Sequence, residues 1–175
     1  MSIPVIMRAL QQASLNGPQD LSMITDATVP TPGPGQVLVK VTAAGVNIAD
    51  LSQARGTFRG GPQPPYLAGF EATGEVVALG EGVTNIGLGA EVIGVGYGAF
   101  AEYMVLAAAA AMPIPSGWTG EQALGLPVNL PTAVAVLKPL GQLAAGQAVL
   151  IHAAAGATGQ AAVKKCSSCH NFGDG

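Results

Sequence analysis

The sequence predicts an α/β protein whose amino-terminal domain is mainly β, and three observations lead to this prediction. Strand-like runs bounded by turn residues recur through roughly the first 110 residues, with few helices between them. Glycine and proline are abundant, at 25 and 13 of 175 residues, which favours a turn-rich chain. Towards the carboxyl end, an apolar strand leads through a glycine-containing turn into a helix-forming stretch, and a βαβ unit begins in this way.

The amino-terminal strands are predicted from short apolar runs. Residues Val5–Leu10 and Leu21–Thr25 are separated by the turn signal Asn16-Gly17-Pro18. Gln36–Val46 alternates: its valines face one way and its polar side chains the other, which predicts a half-buried strand. We therefore expect the chain to begin with three strands.

A short helix and three further strands complete the predicted barrel. Asn47–Arg55 has helical composition and is followed by Gly56, a plausible stop. After a loop rich in glycine and proline, we predict strands over Glu71–Leu79, Glu91–Val95 and Ala99–Leu106. This spacing is typical of a small antiparallel barrel or sandwich.

The predicted secondary structure changes after Ser116. We expect helices over Thr119–Leu126 and Thr132–Leu140, with Asn129 and Pro131 at the break between them. Gln147–Ala153 then predicts an apolar strand.

Composition excludes several classes of protein. The chain is 49% hydrophobic and 10% charged, which argues against disorder. A net charge of −3 with only seven Lys and Arg disfavours nucleic-acid binding. No apolar run approaches the roughly 20 residues of a membrane helix, and the first residues lack a signal peptide pattern, so we expect no membrane span and a cytoplasmic location.

The strongest chemical signal is the glycine turn after the predicted carboxyl-terminal strand. Gly156 and Gly159 lie three residues apart at a helix start, where backbone N–H groups can approach a pyrophosphate. Ala154 stands where a dinucleotide fingerprint has its first glycine. Taken alone, the motif is equally consistent with a tight turn that packs a helix against a strand.

Five segments together resemble the medium-chain dehydrogenase/reductase superfamily, in its zinc-independent quinone oxidoreductase branch. They are VPTPGPGQVLVKVTAAGVNIAD, GFEATGEVVALGEGV, GAFAEYMVL, ALGLPVNLPTA and VLIHAAAGATGQAAV. The resemblance implies a GroES-like barrel over residues 1–125, the truncated start of a Rossmann domain over 126–165, and a tail unlike the family over 166–175. It also implies NADPH as cofactor, a quinone or enone substrate reduced by hydride transfer, and a possible homodimer in the full-length family form.

The resemblance extends to individual residues. Asn47 stands where zinc-dependent relatives have a catalytic cysteine, and Phe70 where they have a histidine ligand, so no catalytic zinc is expected. In the quinone oxidoreductase branch, the Asn47 position lies beside the nicotinamide and substrate, and the Thr132 position contacts the nicotinamide carboxamide. Both residues could instead cap the helices that follow them. Asp50 and Glu71 are expected to be structural hydrogen-bonding groups.

The tail departs from the family. Cys166, Cys169 and His170 match the C-x-x-C-H pattern of haem c attachment, but too few residues follow to bury a haem. An abrupt junction is the favoured interpretation, ahead of a haem or metal tail and of a chance thiol pair. We therefore expect an incomplete cofactor site, and a non-catalytic GroES-like domain and a haem-bearing electron carrier stay open as alternative functions.

Overall fold

The computed structural model describes residues 2–167, in two compact units divided after Leu124. In the first unit, eight strands form two sheets whose paired strands are all antiparallel. The strands are β1 Ile6–Gln12, β2 Leu21–Thr28, β3 Gln36–Gly45, β4 Tyr66–Leu67, β5 Glu71–Leu79, β6 Glu91–Val95, β7 Tyr103–Ala107 and β8 Met112–Pro113.

The smaller sheet has the order β2-β1-β4 and the larger one the order β7-β3-β5-β6-β8. Backbone hydrogen bonds join β1 to the segment just before β7: the N–H of Leu10 donates to the Phe100 carbonyl at 2.8 Å, and the N–H of Glu102 donates to the Arg8 carbonyl at 3.2 Å. The predicted antiparallel, mainly β domain is confirmed.

Strand β3 is buried on both faces near its start, which differs from the half-buried strand that its alternation predicts. Val37 and Val39 are fully buried in one apolar cluster of the larger sheet. Leu38, on the opposite face, is 1% exposed in a second cluster with Met7 and Ala9 of β1. The smaller sheet therefore covers the face that the sequence pattern assigned to solvent.

The helix predicted after Asn47 is confirmed with its boundaries nearly correct. Helix α1 spans Ile48–Ala54, Asn47 is its N-cap and Arg55 its C-cap. Gly56 follows with φ of 67°, a left-handed conformation that glycine adopts at little cost after a helix end. The predicted helix over Thr119–Leu126 shortens to α2, Gly120–Ala123.

The second unit contains helices α3, Asn129–Ala135, and α4, Ala157–Ser167, with a π-helical segment at Val136–Leu140. Asn129 and Pro131 belong to the first turn of α3, so the predicted helix break at these residues is wrong. Proline is tolerated there because the first N–H groups of a helix have no intrahelical acceptor. Ala133, Leu137 and Ala162 form the core of this unit.

The strand predicted over Gln147–Ala153 is not formed among the described residues. A strand exists only when its backbone groups pair with a neighbour, and no segment of residues 125–167 provides one. Val149 and Leu150 are accordingly 43% and 80% exposed. No helix within residues 2–167 is long and apolar enough to cross a membrane.

Gly74 in β5 should be intolerant of any side chain. A Cβ built there would lie 2.1 Å from the Lys40 carbonyl oxygen of β3, so backbone would have to move. We expect Gly74→Ala to lower the free energy of unfolding by about 2 kcal/mol, the middle of the usual range for overpacking. Urea unfolding followed by circular dichroism measures this.

Gly87→Ala is the matched control, because a Cβ at Gly87 has no other atom within 4 Å. Its free energy of unfolding should stay close to that of the original chain. Equal stability of the two variants would contradict the close approach of β3 and β5.

Candidate functional site

Asn47 lies where strand β3 ends and helix α1 begins, beside two acidic residues. Its side-chain Nδ2 donates a hydrogen bond to Glu71 Oε2 at 2.8 Å. Its backbone N–H donates to Asp50 Oδ2, also at 2.8 Å. Asp50 is the third residue of α1, and an acid at this position commonly accepts from the N-cap N–H in a capping box.

Glu71 is the first residue of β5 and pairs with Gly45 of β3 and Val95 of β6. It is 1% exposed, which is unusual for a carboxyl group that is not paired or hydrogen-bonded. The bond from Asn47 meets part of this requirement, because hydrogen bonds to the charged form stabilise a buried carboxylate.

Asp50 has a perturbed environment. Burial raises the pKa of Asp50, the hydrogen bond from the Asn47 N–H opposes that rise, and the nearby Glu71 charge adds to it. Its Oδ1 is buried and has no hydrogen-bond partner among residues 2–167. The pKa of Tyr66 is raised as well, first by burial and then by the charge of Asp50.

Asn47 is therefore a helix cap and also the partner of a buried acid. Helix capping by Asn47 is confirmed by its capping box with Asp50, and its amide nitrogen also binds Glu71, whereas its contact with a nicotinamide stays a prediction. Sequence reasoning classed Glu71 as structural but missed its bond to Asn47. No residue spacing indicates this bond, because it depends on the pairing of β3 with β5.

Phe70 is half-buried, immediately before Glu71, and offers no donor atom to a metal. Its carbonyl accepts a hydrogen bond from the Gly96 N–H at 2.9 Å. Among residues 2–167, no group of three or more His, Cys, Asp or Glu side chains is arranged to hold a metal ion.

Thr132 lies on α3 in the second unit and is exposed. Its Oγ1 donates to the Val128 carbonyl at 2.6 Å within the same helix. Because α3 begins at Asn129, Thr132 does not cap it, and that alternative is wrong. Its hydroxyl hydrogen is committed to Val128, so the lone pairs of Oγ1 are what it offers to a ligand.

The glycine turn lies directly before α4. The Ala153 carbonyl accepts from the Gly156 N–H at 2.9 Å, and Ala153 itself has φ of 52°. Ala154 and Gly156 are exposed, whereas Gly159 is buried. A Cβ at Gly159 would lie 2.3 Å from the Ala153 oxygen, so Gly159 is needed for the helix to pack closely against the turn.

Gly156 behaves differently from Gly159. A Cβ there would meet only the Ala153 oxygen, at 3.3 Å, so its outer side is open. The first N–H groups of α4 lack intrahelical acceptors, and a helix N-terminus favours negative charge. An open glycine beside these donors fits a pyrophosphate group.

A hydrogen bond that the sequence did not predict connects the start of α4 to α3. Thr158 Oγ1 donates to Asn129 Oδ1 at 2.7 Å. Thr132 follows Asn129 by three residues and therefore lies on a neighbouring part of the same helix face. Within the second unit, this bond joins the start of α4 to α3, the helix that carries Thr132, and Asn47 belongs to the first unit.

The C-x-x-C-H pattern is only partly described by the structure. Cys166 is a free, partly buried cysteine of α4 and packs against the core of the second unit. Cys169 and His170 lie outside the described residues.

Comparison with known proteins agrees with this architecture. Residues 33–116 match the alcohol dehydrogenase GroES-like domain family. Prostaglandin reductase-3 of Mus musculus is 38% identical over 177 residues, covering 98% of this chain and 46% of that protein. A probable quinone oxidoreductase of Leishmania amazonensis is 38% identical over 166 residues, covering 94% of this chain and 48% of that protein.

Solved structures agree as well. The human synaptic vesicle membrane protein VAT-1 homolog-like protein superposes with a TM-score of 0.86 at 33% identity, covering 93% of this chain and 53% of that chain. Mycobacterial Rv1454c complexed with NADPH superposes with a TM-score of 0.84 at 32% identity, covering 92% of this chain and 50% of that chain. The chain spans about half the length of the curated relatives named above.

A GroES-like barrel followed by a glycine turn and helix defines the class: the chain belongs to the medium-chain dehydrogenase/reductase superfamily. Within it, the chain belongs to the zinc-independent quinone oxidoreductase branch, as the segments around Asn47 and Phe70 imply.

Replacing Asp50 by asparagine should change how stability depends on pH. A raised folded pKa means that the stabilising contribution of Asp50 is complete below its unfolded pKa, near 3.9, and is lost as pH rises through the folded value. Asp50→Asn retains an oxygen acceptor for the Asn47 N–H and cannot ionise. Its stability relative to the original chain should therefore increase as pH rises.

Urea unfolding between pH 4 and pH 8 measures this difference. Asp26→Asn, an exposed position on β2, controls for the loss of one negative charge. A difference for Asp50→Asn that falls with rising pH would contradict the raised pKa of Asp50.

Proposed function

We propose that this chain supplies the barrel and cofactor-binding segments of an NADPH-dependent, zinc-independent oxidoreductase that reduces a quinone or an α,β-unsaturated carbonyl. The single observation that carries the proposal is the amide of Asn47, hydrogen-bonded to the buried Glu71 where zinc-dependent relatives have a metal ligand. The names of similar proteins, a prostaglandin reductase and a quinone oxidoreductase, support this reaction class.

NADPH is the proposed cofactor because a similar structure is a complex with NADPH and because the glycine turn fits a pyrophosphate. The cofactor supplies the hydride. Ala154, Gly156 and Gly159 would shape the turn that holds its pyrophosphate, and the first N–H groups of α4 would donate to the phosphate oxygens. Thr132 Oγ1, whose hydrogen is donated to Val128, would accept from the nicotinamide carboxamide NH₂.

The surroundings of Asn47 suit an apolar, uncharged substrate. Val46 and Ile48 flank Asn47 and are 79% and 76% exposed. Small-molecule sites combine apolar side chains with a few oriented polar groups, and these two side chains with the amide of Asn47 offer both. An amide orients a substrate carbonyl or a carboxamide without ionising, which fits a quinone or an enone.

A chimera tests the proposal, because relatives of this chain are about twice its length. The chain up to Lys164 is fused to the remaining carboxyl-terminal half of the Leishmania amazonensis relative, and oxidation of NADPH is followed at 340 nm, its absorption band. We expect turnover with 1,4-benzoquinone or with an enone such as but-3-en-2-one, without added metal. A chimera that binds NADPH and reduces neither compound would contradict the proposal.

The two glycines of the turn should have separable roles. Gly159→Ala should destabilise the fold by about 2 kcal/mol, because its Cβ would overlap the Ala153 backbone. Gly156→Ala should leave stability nearly unchanged and raise the Kd of the chimera for NADPH about tenfold, which corresponds to about 1.4 kcal/mol. Unfolding in urea and titration of nicotinamide fluorescence separate the two effects.

If Gly156→Ala leaves the NADPH affinity unchanged, the turn serves only packing. If Gly159→Ala is as stable as the original chain, the close approach of α4 to Ala153 is wrong.

Thr132→Val tests the acceptor role of the threonine hydroxyl. The two side chains have the same shape, so we expect a modest change in stability from loss of the bond to Val128. In the chimera, the Kd for NADPH should rise several-fold to tenfold, as is usual when one hydrogen-bond partner is removed. Thr132→Ser, which retains the hydroxyl, should bind NADPH like the original. Equal NADPH affinities of the Thr132→Val and Thr132→Ser chimeras would exclude the contact between Thr132 and the cofactor.

A further inference from the structure

Glu71 is buried in the barrel, yet its side chain contacts the candidate site. Its carboxylate is 1% exposed, yet its Oε2 reaches the side-chain amide of Asn47 at the barrel surface. The contact joins the beginning of β5 to the beginning of α1, 24 residues apart in the chain. The apolar residues Val46 and Ile48 on either side of Asn47 cannot supply such a bond.

Gly45 makes room for this carboxylate. Gly45 pairs with Glu71 across the β3–β5 ladder, and a Cβ at Gly45 would lie 2.5 Å from Glu71 Oε2. Any other residue at position 45 would therefore displace the Glu71 carboxyl group. The oxygen that would be displaced is the one that accepts from Asn47.

We infer that Glu71 is the positioning residue of Asn47: its carboxylate holds the amide in one of its two flip orientations, with the nitrogen towards the barrel. This inference rests on the proposed role of Asn47 beside the nicotinamide and substrate. The inference adds Glu71 as a residue that acts through Asn47. Glu71 itself is assigned no contact with the cofactor or the substrate.

The physical reason is the different chemistry of the two ends of an amide. Glu71 Oε2 accepts from the amide nitrogen of Asn47 at 2.8 Å, and the amide oxygen, which has no hydrogen to donate, could not make that bond. Asp50 holds the backbone of the same residue through the Asn47 N–H. Asn47 is thus fixed at both main chain and side chain, which is the preorganisation that a site needs to orient a ligand.

Nuclear magnetic resonance of the 175-residue chain, labelled with ¹⁵N-asparagine, tests the inference without any cofactor. In the original chain, the two Asn47 side-chain protons should be well separated, with the proton bound to Glu71 shifted downfield. In Glu71→Ala the separation should collapse towards that of a solvated amide. Glu71→Gln offers an amide oxygen as acceptor and should restore a smaller separation.

Gly45→Ala provides a test that leaves the Glu71 charge in place. The added methyl group displaces only the end of a flexible side chain, so the fold should persist while the Asn47 resonances shift. Gly87→Ala, which meets no atom within 4 Å, is the control and should leave them unchanged. The inference is overturned if the Asn47 side-chain resonances of Gly45→Ala coincide with those of Gly87→Ala. This outcome can be read even if Glu71→Ala fails to fold.

Adding NADPH to the chimera separates this inference from the proposed function. If the inference and the proposed function are both correct, NADPH shifts the Asn47 amide resonances of the original chimera. The Glu71→Gln chimera then binds NADPH with the same affinity but shows a smaller shift of these resonances. If NADPH binds and leaves these resonances unchanged while Glu71→Ala and Gly45→Ala alter them in the free chain, the positioning role stands and the proposed role of Asn47 fails.

Discussion

The close approach of β3 and β5 is the constraint on which the barrel and its candidate site depend. At Gly74 the two backbones are so near that a Cβ would meet the Lys40 carbonyl oxygen at 2.1 Å. At the end of the same ladder, Gly45 faces Glu71 with no room for a side chain. A bulkier residue at Gly74 would move β5, and one at Gly45 would move the Glu71 carboxyl group, which is the hydrogen-bond partner of Asn47.

The same physical principle applies in the second unit, where backbone proximity again requires glycine. Gly159 lets α4 begin directly against the Ala153 carbonyl, and Thr158 then reaches Asn129 of α3. The exposed Gly156 leaves the first N–H groups of α4 accessible. Both units therefore use close backbone packing to place a few polar groups, and neither places a cluster of metal-binding side chains within residues 2–167.

Much of this architecture was predictable from local sequence. The helix after Asn47 and its stop at Gly56 followed from capping and glycine signals, which act over a few residues. The strand predicted at Gln147–Ala153 failed because pairing is not local, and apolar residues alone do not form a strand without a neighbour. Pro131 was misinterpreted as a helix breaker, although the first turn of a helix accepts proline.

The candidate site was predictable only in part, for a similar reason. Resemblance to the family selected Asn47, Thr132 and the glycines. The bond from Asn47 to Glu71 depends on β3–β5 register, which no spacing in the sequence encodes. The burial of Leu38 on the face expected to be solvated likewise depends on a second sheet that covers β3.

The most direct test of the central claim is a nuclear Overhauser measurement on the NADPH-bound chimera labelled with ¹⁵N-asparagine. The account predicts cross-peaks between the nicotinamide ring protons of NADPH and the side-chain NH₂ of Asn47. Bound NADPH whose nicotinamide protons give cross-peaks only to residues other than Asn47 would contradict it.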